Sequence, residues 1–159
     1  MTIKRLSWLM FTLLLVTLSA VQAQERHDIE LDRATIQSER QSIVAANLPM
    51  SEEQAKAFWP MFREYRAEMA KLGDRAVNLV LDYAKNLETL SDAQATAMLD
   101  EYLAIQKDES KIKSAWVPKF RKILPSTAVT RFYQIENKLD AIIRIAAAEE
   151  IPLVETPKK

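Results

Sequence analysis

The 159-residue chain has no cysteine, one glycine and one histidine, and its 22 basic residues balance 22 acidic ones. Each shortage excludes something. Without cysteine there is no disulfide, no thiol nucleophile and no thiolate metal site. Gly73 alone cannot build a glycine-rich phosphate loop, and so few turn formers argue against a β protein with its many tight turns. His27 is the only residue that could serve a Ser-His-Asp arrangement, and it falls close to the start of the mature chain expected below. The many carboxylates carry no sign of the desolvated setting that acid–base catalysis requires, so no catalytic residue and no enzyme activity are expected. His27, Asp28 and Asp32 form at most a loose cluster, short of three or four converging ligands. Neither a metal nor a cofactor is expected. Charge balance also leaves no electrostatic footprint for nucleic acid.

The first 23 residues read as an export signal. Lys4 and Arg5 give a positive start, Leu6 to Val21 is almost wholly apolar, and Val21-Gln22-Ala23 ends on a small residue suited to cleavage. An uncleaved anchor is the alternative, but the apolar run is shorter than the roughly 20 residues a membrane span needs. No cysteine follows it to carry a lipid. The mature chain is expected to start at Gln24 with about 136 residues, an ordinary single-domain length, and to lie in the periplasm without a membrane span. Its expected net charge is about −2, because the leader takes Lys4 and Arg5 with it.

What the chain has in quantity is helical periodicity. From Gln24 to about Asn47 the apolar positions Ile29, Ile36 and Ile43 recur every seven residues, a stripe too thin to bury a helix firmly. Pro49 ends this helix, expected over 26–46. A second helix, 52–86, carries Phe58, Phe62, Tyr65, Met69, Leu72, Ala76, Leu79 and Tyr83 at alternating spacings of four and three, the seam of lengthwise packing. Arg63, Glu64, Arg66, Glu68, Lys71, Asp74 and Arg75 occupy its other faces. Pro60 removes one backbone hydrogen bond and is expected to bend it near its start. A third helix, 92–122, continues the pattern through Met98, Tyr102, Ile105, Ile112, Trp116 and Phe120, with Glu109 where an apolar residue is expected and Pro118 bending or ending it. Ser126 is read as the cap of a fourth helix, 127–149, with Val129, Phe132, Ile135, Leu139, Ile142 and Ala146. Residues 152–159 are expected to be disordered. The fold class is therefore all-α: four helices built on a helical hairpin, in one domain spanning 24–151.

Two motifs repeat. Met50-Ser51-Glu52-Glu53-Gln54-Ala55 and Leu90-Ser91-Asp92-Ala93-Gln94-Ala95 both read apolar-Ser-x-x-Gln, forty residues apart. The Ser hydroxyl can accept from the backbone N–H three residues on, while the Gln side chain reaches back to the Ser N–H. Acidic residues in the first turn also suit the positive end of the helix dipole. Trp59-Pro60-Met61-Phe62-Arg63 is echoed by Trp116-Val117-Pro118-Lys119-Phe120-Arg121. These aromatics either fill the core at a kink or line a curved adhesive surface. On the second reading Trp59, Met61, Phe62, Met69, Trp116 and Phe120 would bind a protein partner, the methionines supplying adaptable contact.

Signal, helical chain and paired boxes together resemble the Spy/CpxP family of bacterial periplasmic proteins, marked by a repeated Leu-Thr-x-x-Gln motif at helix starts. Ser51 and Ser91 stand where that motif has Thr, keeping the hydroxyl, and Gln54 and Gln94 occupy its last position. The resemblance covers about 42–139 and implies a cradle-shaped antiparallel homodimer. It also implies ATP-independent chaperone activity toward unfolded or partly folded clients, or an accessory role on a stress-sensor or anti-sigma domain. Metal binding through His-rich segments, known in some relatives, does not carry over to a chain with one histidine, which leaves a metal-responsive role as the third and least favoured reading. Near-neutrality likewise departs from the strongly basic members.

Overall fold

The computed structural model describes residues 38–154. The expected leader, His27 and its neighbours, the first part of the expected first helix and the last five residues lie outside them. By internal contacts the chain divides into two compact units, Met1–Asn47 and Leu48–Lys159, where the sequence reading has one domain over 24–151. In the first unit α1 is described over 38–47 and buries Arg40 and Val44.

The second unit contains the long helices α2 (Glu52–Asn86), α3 (Asp92–Phe120) and α4 (Ser126–Glu150), with one 3₁₀ turn at Leu87–Thr89. No strand occurs among the described residues. The fold is all-α. None of the described helices is long and apolar enough to cross a membrane.

Both Ser-x-x-Gln boxes are formed. Ser51 sits in extended backbone, accepts from the Gln54 N–H at 3.2 Å, and donates its own N–H to Gln54 Oε1 at 2.9 Å. Ser91 repeats this at 3.3 Å and 3.0 Å. Its hydroxyl also donates to Gln94 Oε1 at 2.7 Å. Gln94 Nε2 in turn reaches Asn86 Oδ1 at 3.5 Å, joining the start of α3 to the end of α2. Each box satisfies two backbone N–H groups that a helix start leaves without partners.

The start of α4, the two prolines and the tail add detail. α4 begins at Ser126, with Pro125 in the cap position and no side-chain cap. Leu124 is buried and its N–H bonds back to the Phe120 carbonyl, so the short connection is anchored and the helix starts directly after Pro125. Pro60 and Pro118 both lie inside unbroken helices. The carbonyls they deprive of a donor belong to Lys56 and Ser114, two exposed residues where water can replace the bond. The first residues of the tail, expected to be disordered, are tied down at one point: the Tyr83 hydroxyl donates to the Pro152 carbonyl at 2.8 Å.

Replacing Ser51 or Ser91 by alanine is expected to lower stability by about 0.5–2 kcal/mol. Urea unfolding of each single variant measures it, and the two losses should add because the boxes share no partner.

Candidate functional site

One end of the three-helix unit is an aromatic interlock. Phe58, Phe62 and Tyr65 of α2 meet Trp116 and Phe120 of α3 and Phe132 and Tyr133 of α4. The Phe120 and Phe132 rings lie 5.0 Å apart, Phe58 and Phe132 5.4 Å, and Tyr65 and Trp116 5.9 Å. Most of these pairs are edge-on or tilted, the arrangement ring quadrupoles favour. Phe58, Phe62 and Tyr65, spaced four and three apart, and Trp116 and Phe120, four apart, each lie on one helical face, and α4 brings the neighbouring Phe132 and Tyr133 against both.

This placement corrects part of the expected binding surface. Phe62, Trp116 and Phe120 are 3%, 2% and 0% exposed and present no face to a partner; they are core at the proline-containing turns. Trp59, Met61 and Met69 are half-buried, with Trp59 packed edge-on against Phe58 and Phe62. Trp116 is further fixed by donating its indole N–H to Glu68 Oε2 at 3.0 Å, with Lys119 Nζ 3.7 Å from the ring centre.

Polar contacts lock the helices in register above this core. Glu136, fully buried, pairs with Arg66 at 3.0 Å across α4 and α2. Burial first, and the Glu136 charge second, push the phenols of Tyr65 and Tyr133 well above their ordinary 10.0. Tyr133 donates to the Lys113 carbonyl at 3.1 Å. Further along, Arg75 grips Glu101 with two parallel bonds, 2.8 and 3.1 Å, and Asp108 with a third at 2.7 Å. Lys113 links Glu109 to Asp140, and Arg144 approaches Glu109 at 3.6 Å. Desolvation pulls the Lys113 ammonium down, but the bonds to Glu109 and Asp140 outweigh it and raise its pKa. Glu109, out of place in an apolar stripe, is thus the α3 end of a bridge to α4. Likewise Arg66, Glu68 and Arg75, placed by their spacing on the other faces of α2, are contacts between helices.

The buried Glu136 also changes which face of α4 is inside. Sequence spacing puts Ile135, Leu139, Ile142 and Ala146 in the core. Val129 and Phe132 are buried, as their spacing predicts, but Glu136 is buried with them, while Ile135 and Leu139 are half-buried and Ile142 is 64% exposed. Pairing Glu136 with Arg66 and Asp140 with Lys113 rotates α4 so that Ile142 and Ile145 point outward. On α3, Leu99, Tyr102 and Leu103 are 58%, 50% and 52% exposed. They stand at positions i, i+3 and i+4, one continuous helical face. Beyond the sealed aromatics, large apolar side chains therefore remain in water. Among the described residues no group of three or more His, Asp or Glu could hold a metal ion.

No protein-family model, curated protein or solved structure matches the chain.

Phe120→Ala is expected to destabilise by about 3–5 kcal/mol, as truncation of a buried aromatic does; a thermal melt checks this. The Arg75 cluster gives a pH signature. Hydrogen bonds from Arg75 hold the Glu101 and Asp108 carboxyls below their ordinary 4.5 and 3.8 despite opposing desolvation. Their folded-state pKa values lie below the unfolded ones. The contribution is therefore complete above the unfolded range and is lost as pH falls through the folded values. The stability gap between wild type and Arg75→Gln should narrow from about pH 6 to pH 3, read by urea unfolding at each pH.

Proposed function

We propose that this chain is a periplasmic, ATP-independent chaperone of the Spy/CpxP type. It works as a homodimer and holds unfolded or partly folded protein clients on an apolar, charge-rimmed helical surface. The observation that carries this reading is the solvent-exposed α3 face of Leu99, Tyr102 and Leu103, flanked by Asp100 and Lys107. Folded single chains hide most large apolar side chains, and a contiguous exposed group suits a protein partner. The leader-like start and the two formed Ser–Gln boxes support the same reading.

The expected contact set changes accordingly. Phe62, Trp116 and Phe120 hold the bundle, and the client contacts move to Leu99, Tyr102 and Leu103, with half-buried Trp59, Met61 and Met69 as adaptable neighbours. Loose apolar contact needs no nucleotide for release, because a client that folds buries the surface being held.

The test is suppression of aggregation of several unrelated unfolded proteins at near-stoichiometric ratios. Wild type should suppress all of them. Leu99→Ser/Leu103→Ser should lose most of the effect while unfolding within about 1 kcal/mol of wild type, since both side chains are exposed and each exposed site costs about 0.5 kcal/mol at most. A wild-type protein that ignores these clients and instead binds one sensor domain tightly would replace the chaperone reading with that of a signalling accessory.

A further inference from the structure

The outward side of α4 carries a second apolar feature with a different character. Lys138, Ile142, Ile145 and Glu149 are spaced four, three and four residues apart and are all exposed, so they form one stripe along the helix. In projection the stripe lies opposite Glu136, the buried residue that faces Arg66. Ile142 and Ile145 are 64% and 62% exposed. Lys138 and Glu149 take part in no ion pair among the described residues.

The order of these residues is symmetric: a cation, two isoleucines and an anion, with equal outer spacings. We propose that the stripe is an interface for a second copy of this chain, the two α4 helices running antiparallel about a two-fold axis between Ile143 and Arg144. In that arrangement Ile142 of each copy meets Ile145 of the other. Lys138 of each copy meets Glu149 of the other, once at each end. A two-fold interface uses the same surface on both partners and must be self-complementary, which this sequence of side chains satisfies. Parallel pairing would set Lys138 against Lys138 and Glu149 against Glu149, and like charges oppose it. A varied client has no reason to match an ordered cation–apolar–anion series.

The contact covers about three helical turns, at the small end of interface sizes. Dimerisation through it is therefore concentration-dependent, and the end charges set orientation more than strength. This inference deepens the homodimer part of the proposed function and leaves the α3 face free for clients.

The test is sedimentation equilibrium of residues 24–159, which contain every described residue, over concentrations on the order of 1 to 500 μM. Wild type should associate to a dimer. Ile145→Glu should remain monomeric throughout. Lys138→Glu and Glu149→Lys should each weaken association about tenfold at low salt, because both end pairs become repulsive. The double variant K138E/E149K should recover wild-type association, since exchange of the charges restores both pairs. Circular dichroism melts should show all variants folded, these side chains being exposed. A dimer indifferent to Ile145→Glu and to both charge reversals would overturn this interface while leaving the homodimer reading standing. A wild-type monomer across the whole range would remove both. The aggregation assay reads client binding separately from either result.

Discussion

Burial of the Glu136 carboxylate against Arg66 is the constraint on which the surface of this protein depends. A charge removed from water is tolerated only if it is paired and hydrogen-bonded, so α4 must present position 136 to α2 wherever else its apolar residues would lead it. Position 140 follows one turn later and meets Lys113. Once these two positions face inward, helical geometry sends Ile142 and Ile145 outward. The exposed isoleucines are thus a consequence of an ion pair one and two turns away.

The aromatic interlock and the polar register divide the work of holding the three helices. Phe58, Tyr65, Trp116, Phe120 and Phe132 supply buried area at one end, where hydrophobic gain is greatest. Towards the other end the core thins to Leu72 and Ile105, and Arg75 with Glu101 and Asp108, then Lys113 with Glu109 and Asp140, keep the helices aligned. Charges here add less stability than the rings do, but they specify register. A helix aligned by polar contacts can leave apolar side chains in solvent without losing its place, and the α3 face of Leu99, Tyr102 and Leu103 lies in this thinner part of the bundle.

How much of this was legible in the sequence follows from how local each determinant is. Ser51 with Gln54 and Ser91 with Gln94 lie three residues apart, so their hydrogen bonds and the helix starts they mark could be read directly. The α2 seam was also legible at Phe58, Phe62, Tyr65 and Leu72, because a repeat of four and three needs no knowledge of the partner. The rotation of α4 was not. Glu136 looks like surface charge until Arg66, seventy positions away in the chain, is brought to it, and no spacing rule reaches that far. The same reason hid the roles of Glu109 and Arg75. Burial of Trp116 and Phe120 could not be settled from their proline, because a proline inside a helix marks a missing hydrogen bond and not which side faces water.

The Ser–Gln boxes have a consequence for how the chain reaches this structure. Each of two long helices carries its own start signal within six residues, and the connection from α2 to α3 is short, with Gln94 bonding back to Asn86. Nucleation, the costly step of helix formation, is thereby assisted at two independent points, and closing the hairpin loses little chain entropy. With no thiol to oxidise and mostly neighbouring segments to pair, assembly belongs to the rapid regime of local topologies. A chain built this way is suited to refold quickly from an extended state.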